Sequence, residues 1–180
     1  MKISEILKKN EVTLSFEVFP PKTDALSHSV ERAAGEIAAL SPHFMSVTYG
    51  AGGNTAVNTA ELADRLQKQH GVTVLAHLTC VAASRADVQH MVEDYRIRGI
   101  ENIMALRGDI PKDGIISEDY AHAVDLIRDI RKTAGEDAFC IGGACYPEGH
   151  VECERQSEDI LHLKEKVDAG CDFLTTQMFF

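Results

Sequence analysis

The sequence predicts an α/β chain forming part of a (β/α)8 TIM barrel, and three observations carry that prediction. Six short β-prone runs begin near residues 13, 44, 72, 101, 139 and 172, each followed by one helical stretch. This alternation implies a parallel sheet with right-handed crossovers. A polar side chain stands at or just beyond the C-terminal end of every run: Glu17, Thr48, His77, Arg107 with Asp109, Tyr146 and Gln177. An open doubly wound sheet concentrates ligand groups at its switch point, whereas a barrel brings all its strand ends to one mouth, which favours the barrel. A complete barrel takes eight strands and about 250 residues. A chain of 180 residues therefore reads as about six of the eight units, one domain over residues 1–180 truncated on its C-terminal side.

The chain opens with a helical stretch carrying Ile3, Ile6 and Leu7. Val12 to Val18 is rich in β-prone residues, and Pro20-Pro21 cannot continue a ladder, so the first strand ends near Glu17. From about Ser27 to Leu40, Val30, Ala33, Ala34, Ile37 and Ala38 share one helical face, and Ser41-Pro42 ends the helix. Phe44 to Thr48 is the second strand. Tyr49-Gly50-Ala51-Gly52-Gly53-Asn54-Thr55 is a flexible turn with helix-capping residues, from which a helix through Leu62, Ala63 and Leu66 runs to a Gly71 stop. The turn has neither the G-x-G-x-x-G nor the Walker spacing, so it reads at least as readily as a tight turn admitting a ligand to backbone as it does a phosphate loop.

Val72 to Ala76 is the third strand, ending at His77, and Ser84 caps a helix carrying Val88, Met91, Val92 and Tyr95 as far as Gly99. Ile103 to Leu106 is a buried strand that stops abruptly at a basic residue, a glycine and a carboxylate, Arg107-Gly108-Asp109. A loop from Asp109 to Ser117 leads to an amphipathic helix through Tyr120, Val124, Ile127 and Ile130. Phe139 to Ala144 is the fifth strand, and Tyr146-Pro147-Glu148-Gly149-His150 breaks out of it. A helix through Ile160, Leu161, Leu163 and Val167 then precedes the sixth strand, Phe173 to Gln177.

Composition narrows the function. With 44% hydrophobic residues the chain can bury a substantial core. A formal charge of −10 argues against a general nucleic-acid binder, whose affinity rests on Lys and Arg neutralising phosphates. No apolar run reaches the roughly 20 residues of a membrane span, and Met1 to Asn10 lacks a signal-peptide core, so a cytoplasmic protein without a membrane partner is expected. Five cysteines without a C-x-x-C pair point to free thiols rather than a disulfide framework. Cys140, Cys145, His150 and Cys153 cluster in sequence, but Cys140 sits in a strand-like run, and a zinc site is not expected.

Several residues carry chemistry by type and place. Glu17 follows buried apolar residues and precedes a rigid Pro-Pro; by pattern alone it reads as an ordinary strand-end carboxylate more readily than as a general acid, which would need desolvation to favour its protonated form. Gly108 between Arg107 and Asp109 suggests that something comes close to the backbone. His77 alone reads more readily as a hydrogen-bonded core histidine than as a metal ligand, since no H-x-H or H-E-x-x-H accompanies it. His150 lies in a polar turn at the start of a helix, where unpaired backbone N–H groups favour a phosphate; it reads equally as a solvated loop histidine. Tyr146 can stack on a ring or plug the mouth, and Gln177 offers both a donor and acceptors to an amide-like edge.

Taken jointly, these residues resemble a known family. Ser15-Phe16-Glu17-Val18-Phe19-Pro20-Pro21, Ser46-Val47-Thr48-Tyr49-Gly50-Ala51-Gly52-Gly53, His77-Leu78-Thr79-Cys80, Leu106-Arg107-Gly108-Asp109, Tyr146-Pro147-Glu148-Gly149-His150 and Thr176-Gln177-Met178-Phe179-Phe180 are similar to the successive signatures of the methylenetetrahydrofolate reductases. The resemblance implies a single catalytic barrel that reduces 5,10-methylenetetrahydrofolate to 5-methyltetrahydrofolate in one-carbon metabolism and methionine synthesis. FAD would carry the hydride, with NADH or NADPH as co-substrate taking turns with folate in ping-pong fashion. It further implies Glu17 as general acid and Asp109 as the carboxylate near flavin and pterin, both catalytic and both touching substrate, with Gln177 recognising the pterin. Flavin contacts would come from Thr48, His77, Arg107, Gly108, Asp109, Tyr120, Ala121, Ala144, Tyr146, His150, Asp159 and Lys166. A homo-oligomer of the full-length protein is also implied, and no metal.

Two positions depart from the family pattern. Glu165 stands where a basic residue is frequent and His162 where an asparagine is, leaving Lys166 as the basic contact for the cofactor phosphates. No dinucleotide fingerprint is present from which to read a choice between NADH and NADPH. Two rival readings are a non-catalytic fragment or association module, and a metal-dependent hydrolase on the same barrel using His77, Glu17 and Asp109.

Overall fold

The computed structural model describes residues 1–9, 12–21, 23–49, 55–111, 114 and 116–180. Six β/α units follow an N-terminal helix: α1 (Ile3–Lys9), β1 (Ser15–Val18), α2 (Asp24–Ala38), β2 (Phe44–Val47), α3 (Thr55–His70), β3 (Val74–Thr79), α4 (Arg85–Ile97), β4 (Asn102–Leu106), α5 (Ala123–Ala134), β5 (Cys140–Cys145), α6 (Gln156–Asp168) and β6 (Phe173–Thr176). The strands pair in chain order, β1-β2-β3-β4-β5-β6, and every pairing is parallel. They form a half-barrel whose edges are β1 and β6, with helices on the outer face. The Gly50–Asn54 part of the expected glycine turn lies outside the described residues.

Strand alternation divides the apolar side chains between two cores. Met45, Val47, Val74, Ala76, Leu78, Ile103, Ala105 and Ile141 face outward and pack with Leu62, Leu66, Val88, Tyr95, Leu126, Ile127 and Ile130 of the helices. On the inner side Leu75, Met104 and Cys140 meet Ile3 and Ile6 of α1, joined by Phe44, Leu106, Ala144 and Phe173. Gly142 belongs to this inner layer, where a Cβ would strike the Phe173 ring at 2.6 Å.

Helix α1 stoppers the N-terminal end of the strands. Asn102, at the start of β4, accepts from the Ile3 N–H (2.8 Å) and donates to the carbonyls of Val74 (3.0 Å) and Met1 (3.1 Å). The Ser4 N–H points at Cys140 Sγ (3.4 Å). With one end of the half-barrel closed, the opposite, C-terminal end is where a ligand can enter.

Several expected boundaries shift. His77 lies inside β3, two residues before its end, because Val74 to Thr79 pairs continuously with its neighbours. Tyr120 precedes α5, which starts only at Ala123, since the Asp125 carboxylate accepts from the Ala121 and His122 backbone N–H groups (3.2 and 3.0 Å). Ser84 caps α4 as expected, with a reciprocal Ser84–Asp87 capping box. On α6 the expected apolar face is largely open: Ile160 and Leu161 are each 59% exposed. This helix packs beside α5 and precedes β6, an edge strand of the sheet.

Candidate active site

A cavity of about 910 Å³ opens at the C-terminal ends of β3, β4 and β5. The corner after β4 forms its floor. Arg107 follows the last strand residue, and Gly108 turns the chain with a φ of +87°, a conformation that disfavours any side chain. A Cβ there would also meet Thr79 Cβ at 3.0 Å and Val81 Cγ1 at 3.2 Å. The glycine is thus required by the corner itself and by strand β3, beyond any ligand. The backbone N–H groups of Cys80 and Val81 both bond to the Arg107 carbonyl (3.1 and 2.8 Å), clamping the corner to the end of β3. Asp109 is exposed at the rim.

The far wall comes from β5, the loop after it and α6. Ala144, Tyr146 and His150 line the cavity, the last two with rings in edge contact at 4.9 Å between centroids. Asp159, buried in the first turn of α6, accepts from the His150 N–H (3.1 Å) and so ties the loop to the helix. Lys166, one further wall residue, donates to the Ala144 carbonyl (2.8 Å), and burial holds its ammonium below the ordinary lysine range. Arg107 reaches across the mouth to Glu152, with Nη1 and Nη2 each 2.6 Å from one carboxylate oxygen. That bond pulls Glu152 below the usual carboxylate range and raises Arg107.

A second group of candidate residues sits on the inner face of the first strands. Glu17, third of four residues in β1, pairs in register with Ser46. The Ser46 hydroxyl donates to Glu17 Oε2 (3.3 Å), and His77 Nε2 lies 3.6 Å from the same oxygen. Burial depresses the imidazole to about 4, so it is neutral at neutral pH. The Tyr95 hydroxyl bonds to the His77 carbonyl (2.8 Å) and braces this part of β3 from the outer side.

Other expected site residues stand apart from the cavity walls. Thr48 follows β2, and its carbonyl accepts from Thr59 Oγ1 (2.9 Å). Tyr120 is buried, its hydroxyl bonded to Asp129 (2.6 Å), beside a separate hollow of about 220 Å³. Ala121 serves the start of α5. Gln177 is exposed, with its backbone N–H bonded to the Cys145 carbonyl (2.9 Å), which sets where it leaves the sheet. The two departures lie together: His162 and Glu165 both line the cavity and approach each other at 3.4 Å.

Among the described residues no three His, Cys, Asp or Glu side chains gather as a metal ion requires. Cys140 and Cys145 occupy opposite ends of β5, about 17 Å apart at strand rise, too far to share an ion. Residues that sequence reasoning did not select include Glu152, Thr79 and His122, all on the cavity wall. Glu152 had no local signal, because its partner lies 45 residues away.

The methylenetetrahydrofolate reductase family pattern matches residues 2–180. The chain belongs to that family. Among its members, methylenetetrahydrofolate reductase 2 of Schizosaccharomyces pombe is 41% identical over 198 residues, covering 100% of this chain and 30% of that protein. The 5,10-methylenetetrahydrofolate reductase of Salmonella typhimurium is 36% identical over 172 residues, covering 96% of this chain and 56% of that protein. The chain thus spans about a third to just over half of these reductases. Its fold is shared with a Clostridium thermocellum protein that binds two copies of 5-methyl-5,6,7,8-tetrahydrofolic acid, at a TM-score of 0.67 and 13% identity, covering 99% of this chain and 58% of that one.

Among the described residues no helix is long and apolar enough to cross a membrane.

Proposed function

We propose that the chain carries the flavin site and the proton donor of a reductase that converts 5,10-methylenetetrahydrofolate to 5-methyltetrahydrofolate, with FAD as cofactor and NADH or NADPH as co-substrate. The observation that carries this reading is the cavity, which gathers Arg107, Gly108 and Asp109 with Ala144, Tyr146, His150, Asp159 and Lys166 from three separated stretches of sequence. Its 910 Å³ suits a large cofactor, since small-molecule sites run to about 1,000 Å³. Family membership and the fold shared with a methyltetrahydrofolate-binding protein support the choice of substrate.

The residues present fit FAD. Arg107 and Lys166 are the cationic side chains of the wall and would meet its phosphates. The rings of Tyr146 and His150, on a wall shared with Gly108 and Ala144, suit a planar ring. Bound there, FAD supplies two-electron hydride chemistry. Asp109 at the rim holds a negative charge where positive charge develops on the substrate. Glu17 delivers a proton to the folate ring nitrogen, opening the five-membered ring. Among the described residues Ser46 and His77 both face Oε2, so Oε1 is the oxygen assigned to carry that proton. The Glu17 side chain is 49% exposed, so bound substrate completes its desolvation. Gln177 presents its amide to the pterin edge.

The test uses the natural protein reconstituted with FAD. NADH or NADPH should bleach the flavin, and methylenetetrahydrofolate should restore its colour. A protein that takes up no flavin, or whose reduced flavin ignores the folate, overturns the reading. Glu17→Gln should spare bleaching and block recovery.

A further inference from the structure

We propose that Glu152 is a positioning residue for the cofactor site: it fixes the Arg107 guanidinium across the mouth and, through the same contact, holds the wall formed by the loop after β5. This rests on the reading of the cavity as the flavin site. A guanidinium is a planar fork, and a carboxylate that takes both terminal nitrogens stops it from turning. Arg107 makes that two-point contact with Glu152 at 2.6 and 2.6 Å, while its Nε–H points at the Gly108 carbonyl (3.4 Å). Three of its five N–H groups are then directed. One on each terminal nitrogen, with the guanidinium faces, stays available to a ligand.

The choice of carboxylate matters because Glu154, Glu158 and Glu165 line the same cavity. An Arg107 without Glu152 has other anions to follow, Asp109 and Asp159 besides these three, and each would aim the fork differently. On the loop side the effect spreads. The Glu152 N–H donates to His150 Nδ1 (3.2 Å), the Cys153 N–H to the His150 carbonyl (2.9 Å), and the His150 N–H to Asp159 (3.1 Å). His150 in turn touches Tyr146. A pull on Glu152 is therefore a pull on two aromatic walls of the cavity. Glu152 is half exposed, and exposed ion pairs contribute little to folding, so its role lies in geometry and not in overall stability.

The experiment compares Glu152→Gln, Glu152→Asp, Arg107→Lys and the Glu152→Gln/Arg107→Lys pair in the natural protein. It reads the FAD dissociation constant, the visible circular dichroism of bound FAD, and amide hydrogen exchange over residues 147–153 without FAD. Glu152→Gln should weaken FAD binding about tenfold, alter the dichroism and speed exchange in the loop. Glu152→Asp should recover part of each, and the pair should be no worse than the poorer single change. Wild-type affinity with unchanged exchange in Glu152→Gln overturns the proposal. So does tighter binding, which would make Glu152 a competitor for Arg107. If the wild-type protein takes up no FAD while Glu152→Gln still loosens the loop, the flavin reading fails and the positioning role stands.

Discussion

His77 Nε2 lies 3.6 Å from Glu17 Oε2, yet the two do not form an ion pair at neutral pH, because burial holds the imidazole at about 4. At neutral pH the imidazole meets the Glu17 carboxyl group as a neutral partner. The depressed value also links His77 to stability. The unfolded histidine takes up a proton near 6.5, the folded one only near 4, so between these values the unfolded state binds more protons and stability falls as pH falls. Above 6.5 the contribution is intact; below 4 about 3 kcal/mol has been lost. Urea unfolding at stepped pH should show this decline, and His77→Gln should flatten it. A His77→Gln profile as steep as the wild type would refute the assignment.

Gly108→Ala should disrupt the corner after β4. The new methyl group meets both a φ of +87° and the side chains of Thr79 and Val81, for a loss of about 2 kcal/mol. Because the same corner floors the cavity, FAD affinity should fall along with the melting temperature. Thermal denaturation and flavin fluorescence titration measure the two effects separately.

Arg131 is 7% exposed on α5 and donates to the Gly170 carbonyl (3.0 Å), the Phe139 carbonyl (2.7 Å) and the Asp172 carboxylate (2.7 Å). Asp172 also accepts from the Ile141 N–H (2.7 Å). Arg131→Ala strips partners from all these groups at once and should lower stability by about 3 kcal/mol. Chemical denaturation checks the size, and loss of amide protection at Phe173–Thr176 checks the place.

Asn102→Ala should release α1. Its amide has three backbone partners in the interior, and leaving those groups unsatisfied weakens the fold by about 2 kcal/mol. Hydrogen exchange should show Ile3 to Lys9 opening before the sheet does. Uniform exchange across the sheet and α1 would contradict it.

The architecture was legible because parallel strands buried on both faces read as short apolar runs, and six runs with helices between them leave few topologies. The capping box at Ser84 was legible for a similar reason: Asp87 stands three residues on. The end of β3 was not, since Val74 to Cys80 is apolar apart from His77 and Thr79, with no turn residue to mark a stop. Tyr120 fits the helical period and so extends the predicted helix after β4 toward the N-terminus, whereas Asp125 places the cap at His122. Ile160 and Leu161 illustrate the opposite limit. Their spacing predicts an apolar face, but what covers a face depends on neighbours that local pattern does not contain. The Arg107–Glu152 pair was hidden in the same way, joining two loops that only the sheet order brings together.

Helix α1 has a consequence for how the chain is made. Its Ile3 N–H is satisfied by a side chain 99 residues downstream, and Ser4 reaches a cysteine 136 residues downstream. During synthesis the first turn of helix emerges long before either partner exists. Closing such long loops comes late, after the local β/α pairs have formed. Helix α1, made about a hundred residues before its partners, is therefore among the last elements to dock, and its arrival reports that the middle strands are already in place.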